Sequence, residues 1–375
     1  MNSTSSQPTS SRVAVLGAGG TIAPAIVRDL AESEEVAALE LLDLDEARAA
    51  SVATEQGGGK AQPQRVDARE QGALAAVLGG VDVLVNSASY RVNLDAMRAC
   101  LEAGCHYLDL GGLYWMTGRQ LELDDEFRAA GLLGLLGMGS SPGKTNVMAQ
   151  RAASELGARP ERVDVIAAGR DLDPPAGFSV PYALRTLIDE LTLPPVAVRD
   201  GKPVELEPLT PGSPVDLPEP IGIAETIYTL HSEIRTFPHS FGCSESSFRL
   251  SLAPTLLARL RELAGGSEAE IEQAARAALP PSARTVSVHV VEAEAGGRCV
   301  RVTALTRPLA EWGLGGGIVS TAAPAAAAVR LLARGRLETR GVLPPERCVH
   351  PDDLFPELAR RSCEFAIARP AAVAR

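Results

Sequence analysis

The chain has 375 residues, of which 45% are hydrophobic, 22% are charged and 4% are aromatic, and its formal net charge is −11. The length and composition predict a globular protein of two domains, and the negative charge opposes binding to nucleic acid or to an anionic membrane surface. No run approaches the ~18 uninterrupted apolar residues of a membrane span. The six cysteines form no CxxC pair. We therefore expect reduced thiols, a cytoplasmic location and no bound metal.

The first part of the chain alternates short apolar runs with Ala-rich stretches. Residues 1–11 lack the basic start and apolar stretch of a signal peptide, and we expect a disordered tail there. The alternation that follows is typical of a doubly wound parallel sheet, so we predict a Rossmann-type α/β domain over residues 12–148. The predicted strands are RVAVL, LELLDLD, PQRVDA, VDVLVNS, CHYLDL and LLGLLGMG.

The pattern changes after residue 149. A strand begins near Val163, Asp200-Gly201 predicts a hairpin turn, and TVSVHVVEAEAGGRCVRVTALT predicts a second hairpin after two helical stretches. The prolines between Leu206 and Pro220 predict an extended loop. We expect residues 149–310 to form an α+β substrate-binding or dimerisation domain with an antiparallel sheet, in a homodimer. Residues 311–375 are predicted to return to the first domain.

A glycine-rich turn follows the first strand directly. Gly17 allows a tight bend, and Gly19 lets the backbone approach a diphosphate at the N-terminus of the next helix. Ile22 replaces the third glycine of the usual fingerprint. The position between strand and helix predicts a dinucleotide site. Its proposed members are Gly17, Gly19, Gly20, Thr21 and Ile22.

Asp43 ends the second strand, where a carboxylate binds the ribose hydroxyls of the adenosine half and repels a 2′-phosphate. This favours NAD as the cofactor, while Arg48 one turn later leaves NADP open. The alternative role for Asp43 is to cap the following helix, which Asp45 would do at least as well.

Further polar or small residues recur at successive strand ends, where ligands of an open parallel sheet bind. Each segment is alternatively a turn that needs small residues. We assign these positions to the cofactor: Asp67, Asn86, Ser87, Ala88, Gly111 and Gly139. GSSPGKT is similar to a phosphate-binding loop, but Met138 stands where that pattern needs glycine, so ATP is not expected.

The sequence resembles the saccharopine dehydrogenase family in its broad sense, which includes saccharopine reductases, lysine 6-dehydrogenases and carboxynorspermidine dehydrogenases. The resemblance covers nearly the whole chain. It rests on VLGAGG, VDVLVNSASYRVNLDAMRACLEAGCHYLDLGG, GMGSSPGKTNVMA, IGIAETIYTLHSEIRTFP and AAAAVRLLARGRLETRGVLPPE. It implies hydride transfer between NAD(P) and the carbon of an amine or imine in an amino-acid-like molecule. Ser141-Pro142-Gly143 departs from the Asp-Pro-Gly of many relatives and leaves the substrate open.

Hydride transfer at a carbon–nitrogen centre needs a held carboxylate and a group that manages the amine proton. Tyr90, Asp109 and His231 are the candidate catalytic residues; their alternatives are a pocket wall, a turn and an ordinary histidine. The candidate substrate-binding residues are Lys144, Asn146, Arg235 and Thr236, with helix capping and a Glu233–Arg235 ion pair as alternatives.

The remaining histidines, His106, His289 and His350, are interpreted as structural. Two other functions stay open. One is a transferase similar to homospermidine synthase that retains NAD, and the other is a non-catalytic redox sensor that binds the dinucleotide.

Overall fold

The computed structural model describes residues 10–369, which form two sheets with helices packed on them. The elements up to residue 135 are β1 (Ser11–Leu16), α1 (Ala23–Ala31), β2 (Val36–Asp43), α2 (Glu46–Gln56), β3 (Ala61–Arg65), α3 (Gln71–Val77), β4 (Val83–Asn86), α4 (Asn93–Ala103), β5 (His106–Asp109), α5 (Leu113–Leu121), α6 (Asp124–Ala129) and β6 (Leu133–Leu135).

The later elements follow α7 (Lys144–Leu156). They are β7 (Arg162–Asp171), α8 (Leu184–Thr192), β8 (Val196–Arg199), β9 (Lys202–Glu205), β10 (Pro211–Leu217), β11 (Gly222–Tyr228), α9 (Glu233–Phe241), β12 (Glu245–Ser251), α10 (Pro254–Ala264), α11 (Glu268–Ala277), β13 (Thr285–Ala295), β14 (Arg298–Thr306), α12 (Gly316–Ala333), β15 (Gly341–Leu343), α13 (Pro351–Ala359) and β16 (Cys363–Ala368).

The first sheet is parallel and has seven strands in the order β15-β6-β5-β4-β1-β2-β3. The interior strand β1 is buried on both faces, with Val13 and Val15 in one apolar cluster and Ala14 and Leu16 in the other. Helices cover both faces, which is why interior strands such as β1 and β4 are largely apolar. The predicted Rossmann-type architecture is confirmed.

The second sheet has nine strands, with β10-β11-β12-β7-β13-β14-β16 in order and the β8–β9 hairpin attached to β12. It is antiparallel except that β12 and β7 run parallel. Asp200 and Gly201 join β8 to β9 with φ values of 50° and 73°, as a tight hairpin turn requires. The predicted hairpin of β13 and β14 is also confirmed.

The prediction of an extended loop between Leu206 and Pro220 is wrong, because Pro211–Leu217 forms β10. The strand lies at the edge of the second sheet, where proline's missing N–H need not join the ladder. Residues 1–9 of the predicted tail lie outside the described residues. Ser11, the first residue of β1, pairs with Val36 of β2.

The C-terminal segment joins both sheets rather than the first alone. Strand β15 pairs with β6, whereas β16 pairs with β14 in the second sheet. Between them α12 is apolar and, at 18 residues, long enough to cross a membrane, yet 78% of it is buried inside the protein. It packs against α1 and β13, so it is a core helix that fastens the two sheets together.

Candidate active site

A cavity of about 640 Å³ lies between the two sheets. The first domain lines it with residues that follow strands β1, β4, β5 and β6, namely Ile22, Ser87, Ala88, Tyr90, Gly111 and Ser141. The second domain supplies residues of β7, β12 and β13 together with Tyr182, Glu190 and His231. Six of the residues proposed from sequence (Ile22, Ser87, Ala88, Tyr90, Gly111 and His231) therefore meet at one cavity, at the carboxyl ends of the parallel strands.

The glycine turn after β1 is tightly packed against its neighbours. Gly17 has a φ of 76°, and a Cβ there would lie 2.8 Å from the backbone of Ala88. At Gly19 a Cβ would meet the Cβ of Arg48 at 2.7 Å. Glycine is therefore required at both positions for the turn to pack against Ala88 and Arg48. The amides of Thr21 and Ile22 follow at the start of α1.

Asp43 closes this turn. Its carboxylate accepts a hydrogen bond of 2.8 Å from the Gly19 amide and one of 2.9 Å from the Asp45 amide. Asp45, rather than Asp43, caps α2 by accepting from the Arg48 amide. Asp43 is therefore not the helix cap, and it lies beside the turn, where a ribose would bind. Asp67, by contrast, is engaged by Arg69, which lowers the pKa of Asp67 to about 2.

Three buried ionisable side chains, His231, Glu233 and Glu190, form a cluster at the second-domain side of the cavity. His231 Nδ1 contacts the Glu233 carboxylate, and the imidazole stacks on Phe248 with 3.6 Å between ring centroids. Burial opposes protonation of His231, but the carboxylates of Glu233 and Glu190 raise its pKa above the ordinary value. Glu233 stays ionised: burial opposes this, yet His231 and the hydroxyls of Ser141 and Thr145 lower its pKa.

Glu190 is the one cluster member poised between its two protonation states. Burial raises the pKa of Glu190 to about 7, against the opposing effects of His231 and of the hydrogen bond from Tyr182. A carboxyl group with that pKa exchanges protons efficiently near neutral pH. Glu190 lines the cavity, so it is placed to exchange a proton with a ligand there.

Tyr90 links the two domains at the cavity wall. Its hydroxyl donates to Asp189 of α8 at 2.9 Å, and Arg91 binds the same carboxylate. Burial and the Asp189 contact raise the pKa of Tyr90 to about 12. The phenol therefore stays protonated, and its O–H already donates a hydrogen bond to Asp189.

Asp109 does not line the cavity. It is 1% exposed, and its carboxylate accepts five hydrogen bonds, from Asn93, Tyr107, Gly111, Gln120 and Gly137. Burial raises the pKa of Asp109 even though these donors oppose the change. Its placement is that of an anchor for the loops after β5 and β6, rather than of a group that touches substrate. Asn86 is tied into the same network through Asn93 and Tyr107.

The predicted substrate-binding residues lie around the cavity rather than in it. Asn146 bonds to Glu346 and to the Gly143 amide, and Arg235 packs over the Tyr114 ring. Thr236 is buried on α9. Lys144 is fully buried and does not line the cavity, and the Gly139 amide donates to the Pro142 carbonyl in the turn before α7.

Glu190 and His289 are among the cavity-lining residues that sequence reasoning did not propose for the site. His289, interpreted as structural, lines the cavity from β13. In the sequence of β13, His289 stands between Val288 and Val290, which places it on the opposite face of the strand. That pattern alone does not show whether the face lines a core or a cavity. His106 and His350 do serve local structure, accepting from the Leu133 and Asp352 amides respectively. Among residues 10–369 no group of three His, Cys, Asp or Glu could hold a metal ion.

The fold and the glycine turn together are those of a domain that binds a nicotinamide dinucleotide. Residues 13–135 match the model of the saccharopine dehydrogenase NADP binding domain.

Two known proteins are similar over more of the chain. A carboxyaminopropylagmatine dehydrogenase from Synechocystis sp. is 27% identical over 233 residues, which cover 60% of this chain and 58% of that protein's length. The crystal structure of saccharopine dehydrogenase (L-Glu forming) from Saccharomyces cerevisiae has the same fold. The two chains have a TM-score of 0.70 and 14% identity, over 96% of this chain and 100% of that one.

Proposed function

We propose that this protein is an NAD-preferring dehydrogenase that transfers hydride at the carbon–nitrogen centre of an amino-acid-like substrate bound in the interdomain cavity. The observation that carries the proposal is the cluster of Glu190, His231 and Glu233, buried opposite the dinucleotide turn. Hydride acceptance or return is the chemistry that a bound nicotinamide supplies. What this chain must provide is a place for the nitrogen and a partner for its proton.

Glu190 is that partner. An ammonium group cannot release hydride from its neighbouring carbon until it has lost a proton, because the lone pair must form the new C=N bond. The Glu190 carboxylate takes this proton, and the neutral amine then loses hydride to give an iminium ion. In the reverse direction the protonated Glu190 returns the proton after reduction. His231 and Glu233 are held as an ion pair beside Glu190. Their charges set the electrostatic environment in which Glu190 meets the substrate nitrogen.

The residues suited to hold the cofactor are Gly17, Gly19, Gly20, Thr21 and Ile22 around the diphosphate, with Asp43 at the ribose. Ser87, Ala88 and Gly111 lie further along, at the cavity. Ser87 Oγ is buried with no partner among residues 10–369, so a hydrogen bond from a bound group would satisfy it.

Replacement of Asp43 by asparagine tests the NAD preference. Asp43→Asn keeps a hydrogen-bond acceptor for the Gly19 amide and removes the charge that repels a 2′-phosphate. NADPH affinity should rise about tenfold relative to NADH. Calorimetric titration of both cofactors measures the change. Asp45→Asn is the matched control, and an equal effect there would contradict a specific role for Asp43.

The activity itself is tested by a panel of amino acids and diamines offered with NAD and with NADP. Reduction of the cofactor that depends on the amine and is stoichiometric with the imine or carbonyl product is the expected result. Product formed by transfer to a second amine, with no net NADH, would instead identify a transferase that retains NAD.

A further inference from the structure

A row of apolar side chains follows β12 along one side of the cavity. Phe248 and Leu250 of β12, and Leu252 directly after it, all line the cavity and pack on the same apolar core. Alternate residues of a strand share a face and lie about 7 Å apart, so the row is about 13 Å long. His231 stacks on Phe248, which places that end of the row beside the Glu190 cluster. The row therefore leads away from the proposed position of the reacting nitrogen.

Two other segments extend this apolar surface. Leu256 belongs to α10, which begins two residues after Leu252. Phe178, from the segment between β7 and α8, lies under Arg259 one turn further along α10, with 5.9 Å from the guanidinium carbon to the ring centroid. Val180 follows in the same segment. These residues are only partly buried although they pack on the core, because the cavity lies beside them. The apolar wall of the cavity consists of Phe178, Val180, Leu250, Leu252 and Leu256.

The carboxylates at the cavity do not provide a free partner for a second cation. In the described part of the chain, residues 10–369, the carboxylates that line the cavity belong to Glu190 and Asp171. Glu190 lies in the cluster with His231. Asp171 already accepts hydrogen bonds from the amide and the hydroxyl of Ser282 and from the Asp173 amide. An ammonium group placed against the apolar wall would lose water without gaining a carboxylate, which is costly.

The cationic side chains at the cavity are engaged as well. Arg170 donates to the carbonyl and the hydroxyl of Ser251, and Arg259 pairs with Glu262 at 2.8 Å. Burial lowers the pKa of His289 well below its ordinary value, so this imidazole is neutral. The wall therefore offers apolar contact, rather than a charged partner, to the part of a ligand that lies against it.

We propose that the apolar wall binds a hydrocarbon group, so that the substrate carries an aliphatic or aromatic chain on the carbon that bears the reacting nitrogen. A polyamine, or an acid with a second charge at the far end of that chain, is disfavoured. This inference rests on the proposed function, because it takes the reacting nitrogen to lie at Glu190. Partly buried leucines gain when a hydrocarbon replaces water beside them, and each methylene added to a ligand should tighten binding about fourfold.

Calorimetric titration of the NADH-loaded protein with straight-chain primary amines, from propylamine to heptylamine, tests the wall. Affinity should rise about fourfold with each methylene while the chain still lies against the wall. The compound 1,7-diaminoheptane matches heptylamine in length and adds a charge at the far end, so it should bind at least tenfold more weakly.

Two substitutions of Leu256 separate the contact from its charge preference. Leu256→Ala should weaken heptylamine binding about tenfold and leave propylamine binding unchanged. Leu256→Glu supplies the missing carboxylate and should tighten binding of 1,7-diaminoheptane relative to heptylamine about tenfold. Leu193→Glu is the matched control, because Leu193 is 37% exposed and does not line the cavity, and it should change neither affinity. NADH affinity, measured in parallel, reports whether each variant is folded.

The inference is overturned if folded, NADH-loaded protein binds no alkylamine, binds all chain lengths equally, or binds 1,7-diaminoheptane as tightly as heptylamine. The titration needs no turnover, so it is independent of hydride transfer. Affinity that rises with chain length in a protein without dehydrogenase activity would refute the proposed function alone. Hydride transfer from amines without any gain from chain length would refute only the apolar subsite.

Discussion

Replacement of Glu190 by glutamine should lower kcat/KM for amine oxidation by about a hundredfold to ten-thousandfold, the range for loss of a general base. Glutamine keeps the shape of the side chain and an acceptor for the Tyr182 hydroxyl, but it cannot take a proton. In the wild type the carboxylate form is active, so kcat/KM should rise as pH passes upward through about 7, the pKa of Glu190. This rise should be absent from the residual activity of the variant. Initial rates across pH, with NADH affinity measured in parallel, provide the check.

A matched control lies two residues further along α8. Thr192→Val removes a hydroxyl that only caps the Ile188 carbonyl, and it should leave kcat/KM and its pH profile unchanged. Glu190→Gln protein that binds NADH normally and oxidises substrate at the wild-type rate would show that another group takes the proton.

The largest stability effect should come from Asp29, which is buried where α1 meets α12. Its carboxylate accepts from Arg330 at 2.8 Å and from Arg361 at 2.7 Å, and Arg330 itself is 5% exposed. Asp29→Ala leaves the Arg330 guanidinium buried with Glu357 as its remaining acid. Loss of one partner from a buried ion pair costs about 3–5 kcal/mol. Urea unfolding of the wild type and of the variant measures this loss in the free energy of unfolding, with the dependence on urea concentration compared between them.

Glu32→Ala is the control on the same helix. Glu32 pairs with Arg28 at the surface, where such a pair contributes about 0–1 kcal/mol. If Asp29→Ala destabilised the protein no more than Glu32→Ala, the buried ion cluster would not be what fastens the C-terminal segment to the first domain.

The first domain could be predicted because its signals are local. Strands such as β1, β4 and β6 are largely buried apolar runs, and the glycine turn lies directly after β1. The second sheet was harder to predict, since prolines that indicate a loop are tolerated at the edge position of β10. Whether a strand is an edge depends on the assembled sheet and not on its own residues.

The residues of the candidate site also divide into those with a local sequence signal and those without one. His231 and Tyr90 were found because they follow recognisable motifs, whereas Glu190 lies in an amphipathic helix and differs from a surface glutamate only in what packs over it. Asp109 was proposed as catalytic from its place at a strand end, but the donors that surround it come from segments as distant as Gly137. Burial and pKa are properties of the assembled cavity, which spacing along the chain does not contain.

Deuterium transfer tests the central claim most directly. Amino acids that carry deuterium on the carbon bonded to nitrogen are incubated with the protein and NAD, and the nicotinamide product is examined by mass spectrometry. The proposed mechanism predicts one deuterium in each NADH formed. NADH without deuterium, or no NADH from any amine in the panel, would contradict hydride transfer at the carbon–nitrogen centre.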